Sequence, residues 1–177
     1  DFRSMHSRYR LIALITVIIF SSTNCNAQAN TDDPNFISIG LGLYDWNRQK
    51  EEGFESRLEY RSNTKFWHLK PFFAVAGTST GQGFVGGGGL IDIYFGRRIV
   101  ITPSFGPHLY AGGNSKLDLD HTIEFRSQIE AAYRFDDRSR LGISVSHYSN
   151  ASLGDTNPGT ESAIIYYSIP FKKTSNK

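Results

Sequence analysis

The sequence has a single cysteine, Cys25, and beyond its first thirty residues no segment repeats apolar side chains with a helical period. If the N-terminal stretch containing Cys25 is removed, the remainder can form no disulfide, carry no thiolate nucleophile and hold no cysteine-ligated metal. An excess of charge is also lacking. Residues 1–29 hold three of the 19 basic and one of the 17 acidic residues, so the rest of the chain carries 16 of each. That neutrality argues against a nucleic-acid partner. The one Gly-x-Ser-x-Gly string, Gly77 to Gly81, is followed by no helical segment and so is not a nucleophile elbow, which argues against an α/β-hydrolase reading. No linker or low-complexity tract divides residues 30–177, and their length fits one domain.

The N-terminus must be set aside before the fold is considered. Arg3, Arg8 and Arg10 precede the apolar run Leu11 to Phe20, and Ala27-Gln28-Ala29 follows, which is the three-part layout of a secretory signal peptide. The apolar run is short for a membrane span. Cleavage is expected after Ala29, with Ala27 as a nearby alternative, so that residues 30–177 form the mature domain. Residues 1–4 precede Met5 and read as non-native. Thr23-Asn24 ahead of Cys25 is a poor match to a lipoprotein processing site.

Eight alternating segments follow, at about Asn35 to Trp46, Gly53 to Arg61, Phe66 to Ala76, Gly83 to Phe95, Arg98 to Tyr110, Leu119 to Phe135, Arg138 to Ser149 and Thr160 to Phe171. In the sixth, Ile123, Phe125, Ile129, Ala131 and Tyr133 share one face, and Glu124, Arg126, Gln128 and Glu130 share the other. The second repeats the scheme with Phe54, Leu58 and Tyr60 against Glu55, Arg57, Glu59 and Arg61. Two closed architectures satisfy eight antiparallel strands: a soluble lipocalin-like barrel with its apolar face inward, and an outer-membrane barrel with its apolar face outward. Parity alone does not separate them. Three further features favour an all-β, eight-stranded antiparallel transmembrane barrel. Strand lengths near ten residues suit a tilted span, and Tyr44, Trp46, Phe66, Trp67, Tyr94, Phe95, Tyr110, Tyr133 and Phe135 lie near segment ends as an interfacial girdle requires. The odd-numbered connections also tend to be longer than the turns at Ser62 to Lys65, Gly96-Arg97 and Asp136-Asp137.

Other features carry less chemistry. Gly86 to Gly89 would need a following helix to cradle phosphate. Inside a strand-like segment, it marks a sharp bend or a close approach to the backbone. Asp118, Asp120 and His121 have no recognisable metal-ligand spacing, so neither metal nor cofactor is expected. His68, His108 and His121 read as interior, interfacial or loop residues.

The terminal hairpin is different. Counting back by two from Ser149 gives His147, Val145, Ile143 and Leu141, so His147 and Ser149 share the apolar face of their strand. Glu161 likewise heads the stripe Ala163, Ile165, Tyr167, Ile169 and Phe171. A serine hydroxyl needs a base to become a nucleophile. His147 can be that base, and Glu161 can fix its tautomer if the two segments pair. Asn157 and Asn150 can supply amides to an oxyanion. A serine and a histidine two apart near a strand end are nevertheless common by chance.

The string His147-Tyr148-Ser149-Asn150-Ala151-Ser152-Leu153, then Asn157-Pro158-Gly159 and Glu161, resembles the C-terminal signature of the lipid A 3-O-deacylase (PagL-type, acyloxyacyl hydrolase) family. Weaker similarity runs back through Tyr133 to Asp137 and Phe105 to Pro107. The resemblance implies an eight-stranded outer-membrane barrel that removes the 3-O-linked 3-hydroxyacyl chain of lipid A. It implies Ser149 as nucleophile, His147 as general base and acid, and Glu161 as the residue that orients it, with Asn157 at the oxyanion hole and Asn150 near the site. Ser152 stands where the family has a glycine whose amide helps bind the oxyanion, a departure that restricts the backbone. The polar tail Lys172 to Lys177 departs from the aromatic terminus usual in such barrels. The partners implied are lipid A or lipopolysaccharide in the outer leaflet and the membrane itself, and a homodimer is one assembly left open. The rival readings are a non-catalytic structural or adhesive barrel, a soluble lipocalin-like binder, and an acyltransferase with a hydrocarbon-filled lumen. The last is disfavoured by the charge on the second and sixth segments.

Overall fold

A computed structural model describes residues 33–113 and 116–171. The expected signal peptide and the polar tail lie outside these residues. The strands are β1 (Asn35–Tyr44), β2 (Gly53–Arg61), β3 (Lys70–Thr78), β4 (Gly83–Leu90), β5 (Ile93–Phe95), β6 (Ile99–Ala111), β7 (Ile123–Arg134), β8 (Arg140–Ser149) and β9 (Thr160–Phe171). All pairings are antiparallel, each strand pairs with its neighbour in space, and β4 pairs with β6 to close the ring. β4 and β5 keep one register on β6 and form a single stave, interrupted at Ile91 and Asp92. The interruption has a local cause: the opposing residue is Pro103, which can accept a bond from the Ile91 amide but has no N–H to return. The barrel therefore has eight staves. The ring closes within one chain, so the sheet needs no second copy, and nothing among the described residues supports the homodimer.

Alternation places charge inside and apolar side chains outside, which resolves the parity that the sequence left open. On β2, Glu55, Arg57, Glu59 and Arg61 are buried, while Phe54, Leu58 and Tyr60 face out. On β7, Glu124, Arg126, Gln128 and Glu130 are buried, and Ile129 and Tyr133 face out. Apart from Glu124, whose carboxyl has no hydrogen-bond partner among the described residues, these charges are paired: Glu59 meets both Arg61 (2.8 Å) and Arg126 (2.7 Å), Arg61 also meets Glu130 (2.5 Å), and Arg57 pairs with Glu55. Unpaired, each of these charges would cost several kcal/mol to bury. Neither a lipocalin cavity nor a hydrocarbon-filled lumen fits this interior, whereas the outer wall matches a bilayer.

At the rim where β1, β6 and β8 end, Tyr44, Phe84, Tyr110, Tyr148, Leu117 and Leu119 pack into one buried cluster. At the opposite rim Asp33 accepts from Tyr94 (2.6 Å) and pairs with Arg134 (2.6 Å) and Arg140 (2.6 Å). These contacts correct the girdle assignment for three residues, since Tyr44, Tyr110 and Tyr94 point inward. Outward aromatics do ring the Asp33 rim, among them Tyr60, Phe66, Trp67, Phe95, Tyr133 and Phe135. Two segment starts also differ from expectation. Residues 66–69 close on themselves through paired Phe66–Leu69 backbone bonds (2.8 and 3.1 Å), so β3 begins at Lys70. Leu117 and Leu119 turn into the cluster rather than extending β7. The length rule for connections also fails at one pair: residues 79–82 form a tight turn and residues 62–69 a longer one. The glycine run marks a close backbone approach at the β4–β6 seam, because a Cβ on Gly88 would collide with the Phe105 carbonyl and one on Gly106 with the Gly87 carbonyl.

Candidate active site

β8 and β9 pair so that His147 lies directly opposite Glu161. Both side chains point outward, above the apolar residues Val145 and Ala163 on the same wall. His147 Nδ1 lies 3.1 Å from Glu161 Oε1. The imidazole is 39% exposed and the carboxylate 17%, so the carboxylate is sheltered while the ring remains accessible. Ser149 follows two residues on from His147 on the same face, just past the last β8–β9 pair. Among the described residues no hydrogen bond joins Ser149 to His147. Catalytic hydrogen bonds of this kind are often long until substrate is bound.

The connecting loop, residues 150–159, is tightly organised. Asn150 is fully buried, and both of its amide protons are used within the loops: Nδ2 donates to Leu119 O (3.1 Å) and Thr156 O (2.7 Å). Its Oδ1 accepts from Ser152 N (2.9 Å), and its own backbone N donates to Asn157 Oδ1 (3.2 Å). The structure thus joins Asn150, Ser152 and Asn157 in one knot. Asn150 sits there as a framework residue, and the Ser152 amide points at Asn150. Asn157 is an exposed residue of this loop. Ala151 and Ser152 both take left-handed backbone angles, with φ of 53° and 64°. This is where the serine in place of glycine bears its conformational cost, of order 1–2 kcal/mol.

The acidic residues considered for metal also serve this loop. Asp120 Oδ2 accepts from Thr156 N (2.5 Å), and Asp118 Oδ1 accepts from Asp120 N (2.9 Å). His108 lies inside the barrel, where Nδ1 meets Gly106 O at 3.1 Å.

Two residues bear on the site in ways the sequence did not show, Gly159 inside the quoted string and Arg48 outside it. Gly159 has φ of 58°, and a Cβ there would lie 2.9 Å from His147 Cε1. Arg48, from the loop between β1 and β2, places Nε 3.0 Å from Glu161 Oε1 and donates from Nη1 to Pro158 O. A lone arginine in a loop carries no periodic signal, and only the closed ring brings β1 beside β9.

Fold and site together define a membrane-spanning β-barrel with a histidine–carboxylate pair and a neighbouring serine on its apolar outer wall. A family model described as lipid A 3-O-deacylase (PagL) matches residues 36–170, and the chain belongs to that family. It is 36% identical over 53 residues to the lipid A deacylase PagL of Pseudomonas aeruginosa, a stretch covering 30% of this chain and 31% of that protein. The aligned stretch thus spans about a third of the curated relative. A crystal structure of the outer membrane enzyme PagL superposes with a TM-score of 0.62 at 20% identity, over 77% of this chain and 99% of that one. At that identity the likeness shows a shared fold.

Proposed function

We propose that the chain is an outer-membrane serine esterase that hydrolyses the 3-O-linked 3-hydroxyacyl chain of lipid A, with Ser149, His147 and Glu161 as its catalytic groups. The observation that carries this reading is the 3.1 Å contact between His147 and Glu161 on the outward apolar wall, within the stretch that the family model covers. With Nδ1–H held by the carboxylate, Nε2 is the free nitrogen and can take the serine proton.

Ser149 Oγ attacks the ester carbonyl as His147 Nε2 accepts its proton. The tetrahedral intermediate then expels the sugar oxygen, which takes that proton back from His147. Water, deprotonated by His147, attacks the acyl-serine, releasing a 3-hydroxy fatty acid and restoring the Ser149 hydroxyl. The Asn157 side-chain amide is the proposed oxyanion donor. Asn150 and Ser152 hold the loop that presents it. Outward placement lets a lipid approach through the outer leaflet without entering the barrel.

The test is release of 3-hydroxy fatty acid from purified lipid A by the detergent-solubilised protein. His147→Ala is expected to lower the rate by more than about 10³-fold, and Glu161→Ala by about 10²- to 10³-fold. Each should retain the barrel's heat-modifiable mobility. Wild-type rates in both variants would refute the assignment. A non-catalytic barrel would release nothing in any form.

A further inference from the structure

We propose that Arg48 is a positioning residue for the Glu161 carboxylate, an inference that rests on the reading of Glu161 and His147 as catalytic groups. Arg48 Nε meets Glu161 Oε1 at 3.0 Å, and this is the same oxygen that meets His147 Nδ1. Nη1 of the same guanidinium donates to the carbonyl of Pro158, three residues before Glu161. One planar group therefore holds both the carboxylate and the backbone that leads into it. Oε2 of Glu161 is buried and has no hydrogen-bond partner among the described residues, so the carboxylate is oriented through Oε1 alone. Without Arg48, His147 would be its single tether.

The loop that delivers Arg48 is itself built for the purpose. Asp45, at φ of 52°, accepts from the amides of Lys50 (2.6 Å) and Glu51 (2.7 Å) on Oδ2, and its carbonyl accepts from Gln49 N (3.0 Å). Its Oδ1 accepts from Thr160 Oγ1 (3.2 Å), the residue beside Glu161. Asp45 thus ties the Arg48 loop to the start of β9, and the arginine reaches Glu161 from a fixed base. A lysine can supply the charge but cannot engage carboxylate and carbonyl at once from one rigid plane.

The alternative role for an arginine near a lipid substrate is to bind a phosphate. The experiment separates the two by reading nucleophile activation without the lipid. The full-length protein in detergent is labelled with a fluorophosphonate, in which the serine Oγ–P bond forms as fluoride leaves, and is assayed in parallel on lipid A. Arg48→Ala is expected to slow labelling and lower kcat by the same factor, about tenfold, as partners of catalytic groups commonly do. KM should change by less than about twofold, and Arg48→Lys should restore only part of the loss. In a Glu161→Ala background, Arg48→Ala should slow labelling no further. Unchanged labelling, a raised KM with kcat preserved, or an equal slowing in the Glu161→Ala background would overturn the proposal. Failure of the underlying reading shows separately, as labelling of Ser149→Ala at the wild-type rate.

Discussion

Gly159 shows how much of the site depends on single residues that carry no reactive group. It turns the chain from the loop into β9 with a left-handed backbone, and the space where its side chain would be is taken by the edge of the His147 ring. A methyl group there must displace the imidazole or the loop, and displacements near 1 Å can cost about 10²-fold in rate. Gly159→Ala is therefore expected to lower deacylation at least about tenfold while the barrel retains its heat-modifiable mobility. A variant with the wild-type rate would show that the observed ring position is not required. Asn150 makes the converse point. The motif identifies it, but its burial and its bonds to Leu119, Thr156 and Ser152 mark it as a strut for two loops. Sequence pattern located the residue and left its task open, because that task depends on Leu119, which comes from a different loop.

Elements were more legible than their ends. Period-two alternation marked all eight staves, since each side chain on this wall has one environment inside and another outside. The ends failed where tertiary contacts overrode alternation: Phe66 to Leu69 closes a turn, and Leu117 and Leu119 fill the aromatic cluster. The Gly88–Gly106 approach and the Asp92 interruption depend on which strands meet across the seam. The Asp33 rim is another contact of this kind. Burial alone would raise the Asp33 pKa, but the Tyr94 hydroxyl and the Arg140 and Arg134 guanidiniums outweigh it and hold it below the usual 3.8. A carboxylate with a lowered folded pKa stabilises the barrel above its unfolded value, and that contribution is lost as pH falls through the folded one. Asp33→Asn is therefore expected to lower thermal stability at neutral pH, measured by loss of heat-modifiable mobility. The gap from wild type should close as pH falls below 3.8. A gap that persists unchanged at low pH would show that the charge on Asp33 is not the source.

As a whole molecule, the chain is polar within and apolar without. Its balanced net of buried carboxylates and guanidiniums fills the middle of the barrel, the aromatic cluster closes one rim, and the Asp33 network closes the other. Among the described residues, ion-paired and aromatic side chains occupy this interior, so the purified protein is expected to show no ion conductance in planar bilayers. Steady single-channel currents would contradict the closed interior. With the lumen filled, the outer wall is where a lipid can meet the protein, and that is where His147, Ser149 and Glu161 lie. The sequence made this face legible through parity, while the family match supplies the ester that the geometry alone does not name.

The most direct test of the central claim is mass spectrometry of lipid A from bacterial cells that express the chain or its Ser149→Ala variant. The wild-type chain is expected to yield lipid A lighter by one ester-linked 3-hydroxyacyl group, and Ser149→Ala to leave lipid A intact at equal expression and equal barrel folding. Intact lipid A with both proteins, or equal deacylation by both, would contradict the assignment of Ser149 as the nucleophile of a lipid A esterase.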